Sequence, residues 1–208
     1  TVLPSQVHAE ATFDLYRAAR NAQEVEIATQ AAAETRAALE KCIGSRPEEA
    51  QAWLQLSSLF EWEGQISEGR DVLRSALSLQ PADDSLHSNH ARLSRAIGGF
   101  EEVVSAYAHF LKEHPDSALG HWYYGVDSFE LALAGVDAGA DTRASFASAE
   151  ASFSNCRALE GSYEESCLGY EVMCRAGVGL AMFKAGEVRE AQRAFLSMEQ
   201  LFEGGLAW

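Results

Sequence analysis

The chain has 208 residues, of which 47 % are hydrophobic, and its 31 acidic and 16 basic side chains give a formal charge of −15. A surface this acidic repels phosphate backbones and anionic lipid, which argues against nucleic acid and membrane surfaces as partners. The acidity either keeps the protein in solution or favours a basic partner, and both interpretations stay open.

The first predicted hairpin, about residues 4–47, is the least regular. Apolar residues recur at spacings of three and four from Pro4 to Arg20, as one face of a helix requires. A break near Asn21 separates this helix from a second one, which ends before Pro47. An irregular first hairpin is typical of the unit that covers the end of a repeat array.

The second and third predicted hairpins, 48–81 and 82–115, share a pattern. The second carries residues that are small or apolar at fixed offsets: Trp53, Leu56, Ser57, Phe60, Gly69, Leu73, Ala76 and Pro81. In the third, His87 and His90 replace Trp53 and Leu56 at the same offsets. The Gly98–Gly99 pair predicts the turn between the two helices of that hairpin.

The fourth hairpin, 116–160, contains about twelve extra residues near 131–144, with a predicted helix cap at Asp141. Insertions in repeat arrays fall in loops and often carry function, although a lengthened helix pair is an equal alternative. The fifth hairpin, 161–203, keeps the apolar pattern but has no closing proline. The chain then ends on the apolar residues Leu206, Ala207 and Trp208, which fits either a fragment or an end that packs back.

The repeat signature resembles that of the tetratricopeptide repeat family. Pro47, Pro81 and Pro115 stand 34 residues apart, and the order of Trp, Leu, Gly, Ala, Phe and Pro positions matches that family's pattern. The resemblance implies an all-α fold: one domain over residues 1–208, formed by a right-handed superhelical stack of about five helix-turn-helix hairpins. It also implies that the first helix of each hairpin lines a concave groove.

Projected onto this sequence, the resemblance places a set of side chains on the groove wall. They are Leu54, Ser58, Glu61, Trp62, Ser88, Arg92, Arg95, Trp122, Val126, Phe129, Glu130, Leu180, Phe183 and Lys184. Aromatic and Arg side chains are common anchors of protein interfaces. The projected set predicts a peptide ligand with bulky apolar residues and one carboxylate held by Arg92 and Arg95. The alternative is that these aromatic and arginine side chains pack and pair locally.

The cysteines and histidines are predicted to have mainly structural roles. Cys156 and Cys167 flank a turn near Gly161, so antiparallel helices could bring them within disulfide range in an oxidising compartment. His87 and His90 are three residues apart on one helix, but no Cys or carboxylate completes an obvious ligand set, so we expect no metal and no cofactor.

The interpretation we favour is a non-catalytic scaffold that binds a partner peptide or protein segment, because no catalytic motif is present. The Arg-over-Lys and Ala-rich composition favours a bacterial source, and by the family resemblance such repeat modules in bacteria are similar to assembly factors of larger complexes. The alternative is a regulatory or substrate-recruiting repeat domain of a larger enzyme, such as a glycosyl- or sulfotransferase. A homo-oligomer formed through the apolar C-terminal end is a third hypothesis.

The sequence predicts a soluble protein without direct membrane insertion, because no apolar run approaches the ~20 residues that cross a bilayer. The chain opens on Thr1 rather than Met, so a native start that has been removed stays an open alternative. Cytoplasm and periplasm are therefore both compatible with the sequence.

Overall fold

The computed structural model describes the backbone of residues 4–205 and the side chains of residues 6–198, and within that range the chain is helical without strands. The helices are α1 (Pro4–Asn21), α2 (Val25–Ser45), α3 (Ala50–Trp62), α4 (Ile66–Leu79), α5 (Asp84–Glu113), α6 (Ala118–Asp137), α7 (Arg143–Leu159), α8 (Glu164–Lys184) and α9 (Val188–Gly205). A short 3₁₀ turn, Gly161–Tyr163, precedes α8. The predicted all-α class is confirmed over these residues.

Helix α5 contains the turn that the paired glycines predict. Gly98 (φ −143°) and Gly99 (φ 68°) leave the helical conformation, so the segments 84–97 and 100–113 are two helices that meet at a kink. The positive φ of Gly99 lies in the left-handed region, which glycine adopts without a Cβ penalty. The described helices form two compact units that divide at this kink, between Ile97 and Gly98.

In the unit before the kink, α2 supplies the centre of the core. Leu39 and Cys42 of α2 pack with Leu56 of α3, and all three are at most 5 % exposed. Gly69 of α4 allows α4 to approach α3 closely, because a Cβ at this position would lie 2.9 Å from the carbonyl oxygen of Ser57. The small positions of the repeat pattern therefore allow the helices to approach closely.

In the unit after the kink, aromatic rings form the core. Phe146 and Phe153 of α7 are completely buried, and they pack with Phe129 of α6. Tyr170 of α8 stacks on Phe153 with ring centroids 4.6 Å apart. A Cβ on Gly177 of α8 would collide with the ring of Phe146, so this glycine fixes the distance between α7 and α8.

The inserted residues, 131–144, lengthen a helix pair. They form the end of α6, a turn, and the first residues of α7. Thr142 occupies the N-cap position of α7 and Asp141 precedes it, although an Asp141 carboxylate oxygen accepts the backbone N–H of Arg143 at 3.2 Å. The predicted cap is thus displaced by one residue. Arg143 also pairs with Glu187 at 2.9 Å, which ties this turn to the turn between α8 and α9.

Between residues 4 and 205, the helices do not include one with both the length and the apolar character needed to cross a lipid bilayer.

Candidate functional site

A cleft of about 470 Å³ opens between α1 and α3 in the unit before the kink. Its lining combines aromatic, amide, hydroxyl and charged groups from these two helices: Glu10, Phe13, Asp14, Arg17, Gln51, Leu54, Gln55, Ser58 and Trp62. A volume of this size lies within the range of natural ligand sites.

The spacing of these residues explains why they share one wall. On α3, Gln51, Gln55, Ser58 and Trp62 follow one another at intervals of four, three and four, which places them on one helix face. At 1.5 Å per residue this stripe is about 16 Å long. The opposite wall comes from α1, where residues 10, 13, 14 and 17 likewise lie on one helix face.

Trp62 forms the aromatic end of the cleft. Its indole stacks on the ring of Phe13 with centroids 5.3 Å apart and an angle of 18°. Tyr16 stacks on the same indole at 5.9 Å, and the Arg20 guanidinium lies 5.9 Å from its ring centroid. Trp62 also borders a second cavity, of about 290 Å³, near the turn between α1 and α2. The indole is therefore held in place by α1 while it remains partly accessible.

An ion pair joins α3 to α5 within this unit. Arg92 donates to both carboxylate oxygens of Glu61, and the Arg92 nitrogen to Glu61 Oε2 distance is 2.8 Å. The hydrogen bond from Arg92 lowers the pKa of Glu61, and the same bond raises the pKa of Arg92. Asn89 Oδ1 accepts a further bond from Arg92 at 3.3 Å. Arg92 is thus engaged by a carboxylate of its own chain.

The predicted groove residues of this unit fall into three groups. Leu54, Ser58 and Trp62 line the cleft. Glu61 and Arg92 form the ion pair. The two others, Ser88 and Arg95, are exposed on the first segment of α5. Arg92 is bound by an internal glutamate, and a ligand carboxylate at Arg92 and Arg95 stays a prediction.

The predicted residues of the other unit are mostly structural. Phe129 is 3 % exposed and belongs to the core, so its assignment to a groove wall is corrected. Trp122 and Val126 pack against the same core. Lys184 donates to the Asp137 carboxylate at 2.9 Å and to the Val136 carbonyl at 3.3 Å, and so caps the end of α6.

Three predicted residues of that unit keep surface or electrostatic roles. Leu180 and Phe183 of α8 are 37 % and 57 % exposed. Glu130 is half-buried near Tyr170. Burial raises the pKa of the Tyr170 hydroxyl, and the negative charge of Glu130 adds to this effect.

The cleft residues of α1 were missed by the sequence prediction. Glu10, Phe13, Asp14 and Arg17 lie in the irregular first hairpin, where no signature residue marks the face that meets α3. Their own spacing of three, one and three was the available signal, because it places one aromatic and three charged side chains on one face.

Cys156 and Cys167 lie side by side in the core. Both are completely buried free thiols of the same core cluster. Burial and the neighbouring Cys167 raise the pKa of Cys156 to about 12, and burial raises the pKa of Cys167 as well. The disulfide between them stays a prediction for an oxidising compartment.

Two histidines at repeat positions, His87 and His121, bond to backbone. The Nε2 atoms of His87 and His121 lie 3.0 Å from the carbonyl oxygens of Pro81 and Pro115, and since a carbonyl only accepts, both nitrogens carry the proton. Among the side chains of 6–198, no group of three or more His, Cys, Asp or Glu residues is arranged to hold a metal ion.

No protein-family model and no curated protein sequence matches the chain. Solved structures of MamA are similar to it. One, "Crystal structure of MamA protein", is 12 % identical with a TM-score of 0.42, covering 94 % of this chain and 92 % of that one. MamA AMB-1 is 14 % identical with a TM-score of 0.41 and coverage of 98 % and 94 %. MamA 41-end from Desulfovibrio magneticus RS-1 is 12 % identical with a TM-score of 0.38 and coverage of 94 % and 98 %. A likeness at this level assigns no residue a role.

Proposed function

We propose that this chain is a non-catalytic interaction module that holds a peptide segment of a partner protein in the cleft between α1 and α3. The observation that carries the proposal is the cleft itself, about 470 Å³ in volume, with an aromatic end at Trp62 and a row of polar groups along α3. The tetratricopeptide-like pattern of the sequence supports the same use of the first helices of the hairpins.

The chemistry of the cleft suits an extended backbone. Gln51, Gln55 and Ser58 offer donors and acceptors at intervals along α3, and such groups can pair with successive peptide units of a ligand. A stripe of about 16 Å corresponds to about five extended residues at ~3.3 Å each. Phe13 and Trp62 supply a rigid apolar surface at one end, which is the usual composition of an interface anchor.

We also propose a separate contact region on α8. Leu180 and Phe183, in the unit after the kink, expose apolar side chains one helical turn apart. The homo-oligomer expected through Leu206, Ala207 and Trp208 concerns residues outside the described part of the chain.

The test uses one substitution at two positions. Ser58→Tyr fills the cleft, whereas Ser75→Tyr places the same side chain on the exposed surface of α4, away from the cleft lining. Both variants and the parent chain are immobilised and probed with a random library of capped heptapeptides. We expect the parent and Ser75→Tyr to retain the same peptides and Ser58→Tyr to lose them. Equal retention by all three proteins, or by none, contradicts the proposal.

A further inference from the structure

Among the described lining residues of the cleft, the carboxylates lie on one wall. Glu10 and Asp14 lie on α1, facing the neutral amides and hydroxyl of Gln51, Gln55 and Ser58 on α3. Among the lining residues that the structure describes, Arg17 is the only cationic side chain, and its guanidinium lies 3.6 Å from the Asp14 carboxylate. Both side chains of that pair are mostly exposed, 57 % and 76 %, so the pairing is weak and readily exchanged for another cation.

Two arginines lie near the cleft without lining it. Arg20 lies 5.9 Å from the Trp62 ring centroid, but it borders the second cavity near the turn between α1 and α2. Arg92, which the sequence suggested as an anion anchor, is neutralised by both oxygens of Glu61. The whole chain carries a formal charge of −15, so the long-range field also favours a cationic ligand.

The apolar part of the cleft lies next to the carboxylates. Phe13, which stacks on Trp62, falls between Glu10 and Asp14 on the same face of α1. A long basic side chain packs its methylene stem on such a surface while its head group reaches a carboxylate. A guanidinium gains more than an ammonium here, because it can bind a carboxylate through two nitrogens and stack on an aromatic ring.

From this arrangement we propose that the cleft selects an extended, basic peptide segment and receives one arginine side chain between the Glu10/Asp14 carboxylates and the Phe13–Trp62 stack. The proposal rests on the proposed function, since it names the chemistry of the peptide held in that cleft. The recognised feature is positive charge on a long side chain next to an extended backbone.

The experiment uses capped heptapeptides whose central residue is fixed in turn as Arg, Lys, Gln, Leu or Glu, with the other six positions randomised. Retention of each pool is measured on the full chain, on Glu10→Gln/Asp14→Asn, and on Glu40→Gln/Glu68→Gln. The last variant removes the same net charge from the exposed surfaces of α2 and α4. The parent should prefer the Arg pool over the Gln pool by about tenfold, the gain of one charge-assisted contact.

The two double variants separate the cleft from the overall charge. Loss of the Arg preference in Glu10→Gln/Asp14→Asn, with the preference kept in Glu40→Gln/Glu68→Gln, is the expected result. Equal loss in both variants overturns the proposal, because net charge alone then explains the selection. Retention of the Leu or Glu pool in preference to Arg overturns it while the proposed function stands. Retention of no pool overturns both.

Discussion

The indole Nε1–H of Trp53 donates to the carbonyl oxygen of Pro47 at 2.8 Å. The same relationship recurs one period later between His87 and Pro81, and again between His121 and Pro115. Each proline ends one hairpin. The ring N–H of the residue six positions later, in the first helix of the next hairpin, donates a hydrogen bond to the carbonyl oxygen of that proline. The 34-residue period is thus maintained by a hydrogen bond as well as by apolar packing, and Trp and His are interchangeable because both offer a ring donor.

Removing this donor at His87 should destabilise the protein. His87 is completely buried, so His87→Phe keeps an aromatic ring but leaves the Pro81 carbonyl without that bond. We expect the free energy of unfolding to fall by about 1–2 kcal/mol in urea denaturation. His109→Phe is the control, because the His109 side chain is 68 % exposed and its replacement should change stability by less than about 0.5 kcal/mol. Equal effects would refute a specific role for the ring donor.

Two glycines of α8 should respond in opposite directions to alanine. A Cβ at Gly177 would collide with the ring of Phe146, whereas a Cβ at Gly169 has no atom within 4 Å. Gly177→Ala should therefore lower stability by about 1–3 kcal/mol through overpacking. Gly169→Ala should raise it by about 0.5–1 kcal/mol, because alanine has less backbone freedom to lose in a helix. Thermal unfolding of both variants tests this prediction. A Gly177→Ala protein as stable as the parent would contradict the packing of α7 on α8.

His90 should make stability depend on pH. Burial, the neighbouring His87, and the charges of Arg70 and Arg74 lower the pKa of His90 to about 4, while Asp71 opposes them. The unfolded chain, with an ordinary pKa near 6.5, then binds more protons than the folded one between these values. The contribution of His90 to the free energy of unfolding is therefore fully present above pH ~6.5. It decreases by on the order of 3 kcal/mol as the pH falls to ~4.

The variant His90→Leu isolates this effect, since leucine occupies the equivalent position 56 of the preceding hairpin. Unfolding free energies measured from pH 7 to pH 4 should fall less in His90→Leu than in the parent. If the unfolding free energy of His90→Leu changed with pH as steeply as that of the parent, other groups, chiefly carboxylates, would account for the whole pH dependence.

The buried thiols should be unreactive in the folded protein. Cys42, Cys156, Cys167 and Cys174 are all buried, and burial with nearby charge raises the pKa of both Cys156 and Cys174 to about 12. Because the thiolate is the reactive form, labelling by an aromatic disulfide reagent at pH 8 should follow the rate of unfolding. In denaturant, four thiols should react at once. Fast labelling without denaturant would contradict this burial.

The sequence predicted the fold better than the site. Helix periodicity and the Gly98–Gly99 pair were enough to place α1 and the kink of α5, because both depend on local residues. The projection of groove positions failed at Phe129, because α6 extends for 20 residues and presents Phe129 to the core. The pairing of Arg92 with Glu61 joins residues 31 apart on separate helices, and no local pattern encodes that contact.

The cleft depends on the same kind of long-range information. Leu54, Ser58 and Trp62 were predicted from the repeat, but the opposite wall comes from α1, whose sequence lacks the signature. Only the packing of α1 beside α3 shows that Phe13 meets Trp62 and that the Glu10 and Asp14 carboxylates line the same cleft as this aromatic pair.

The most direct test of the cleft as a binding site is a titration of the ¹⁵N-labelled full chain with the best-retained arginine-centred heptapeptide, followed by amide chemical shifts. Saturable shift changes should cluster at residues 10–17 of α1 and 51–62 of α3, and Ser58→Tyr should abolish them. Changes centred on α8 and α9 instead, or changes that persist in Ser58→Tyr, would show that the peptide binds elsewhere and that the cleft is not the site.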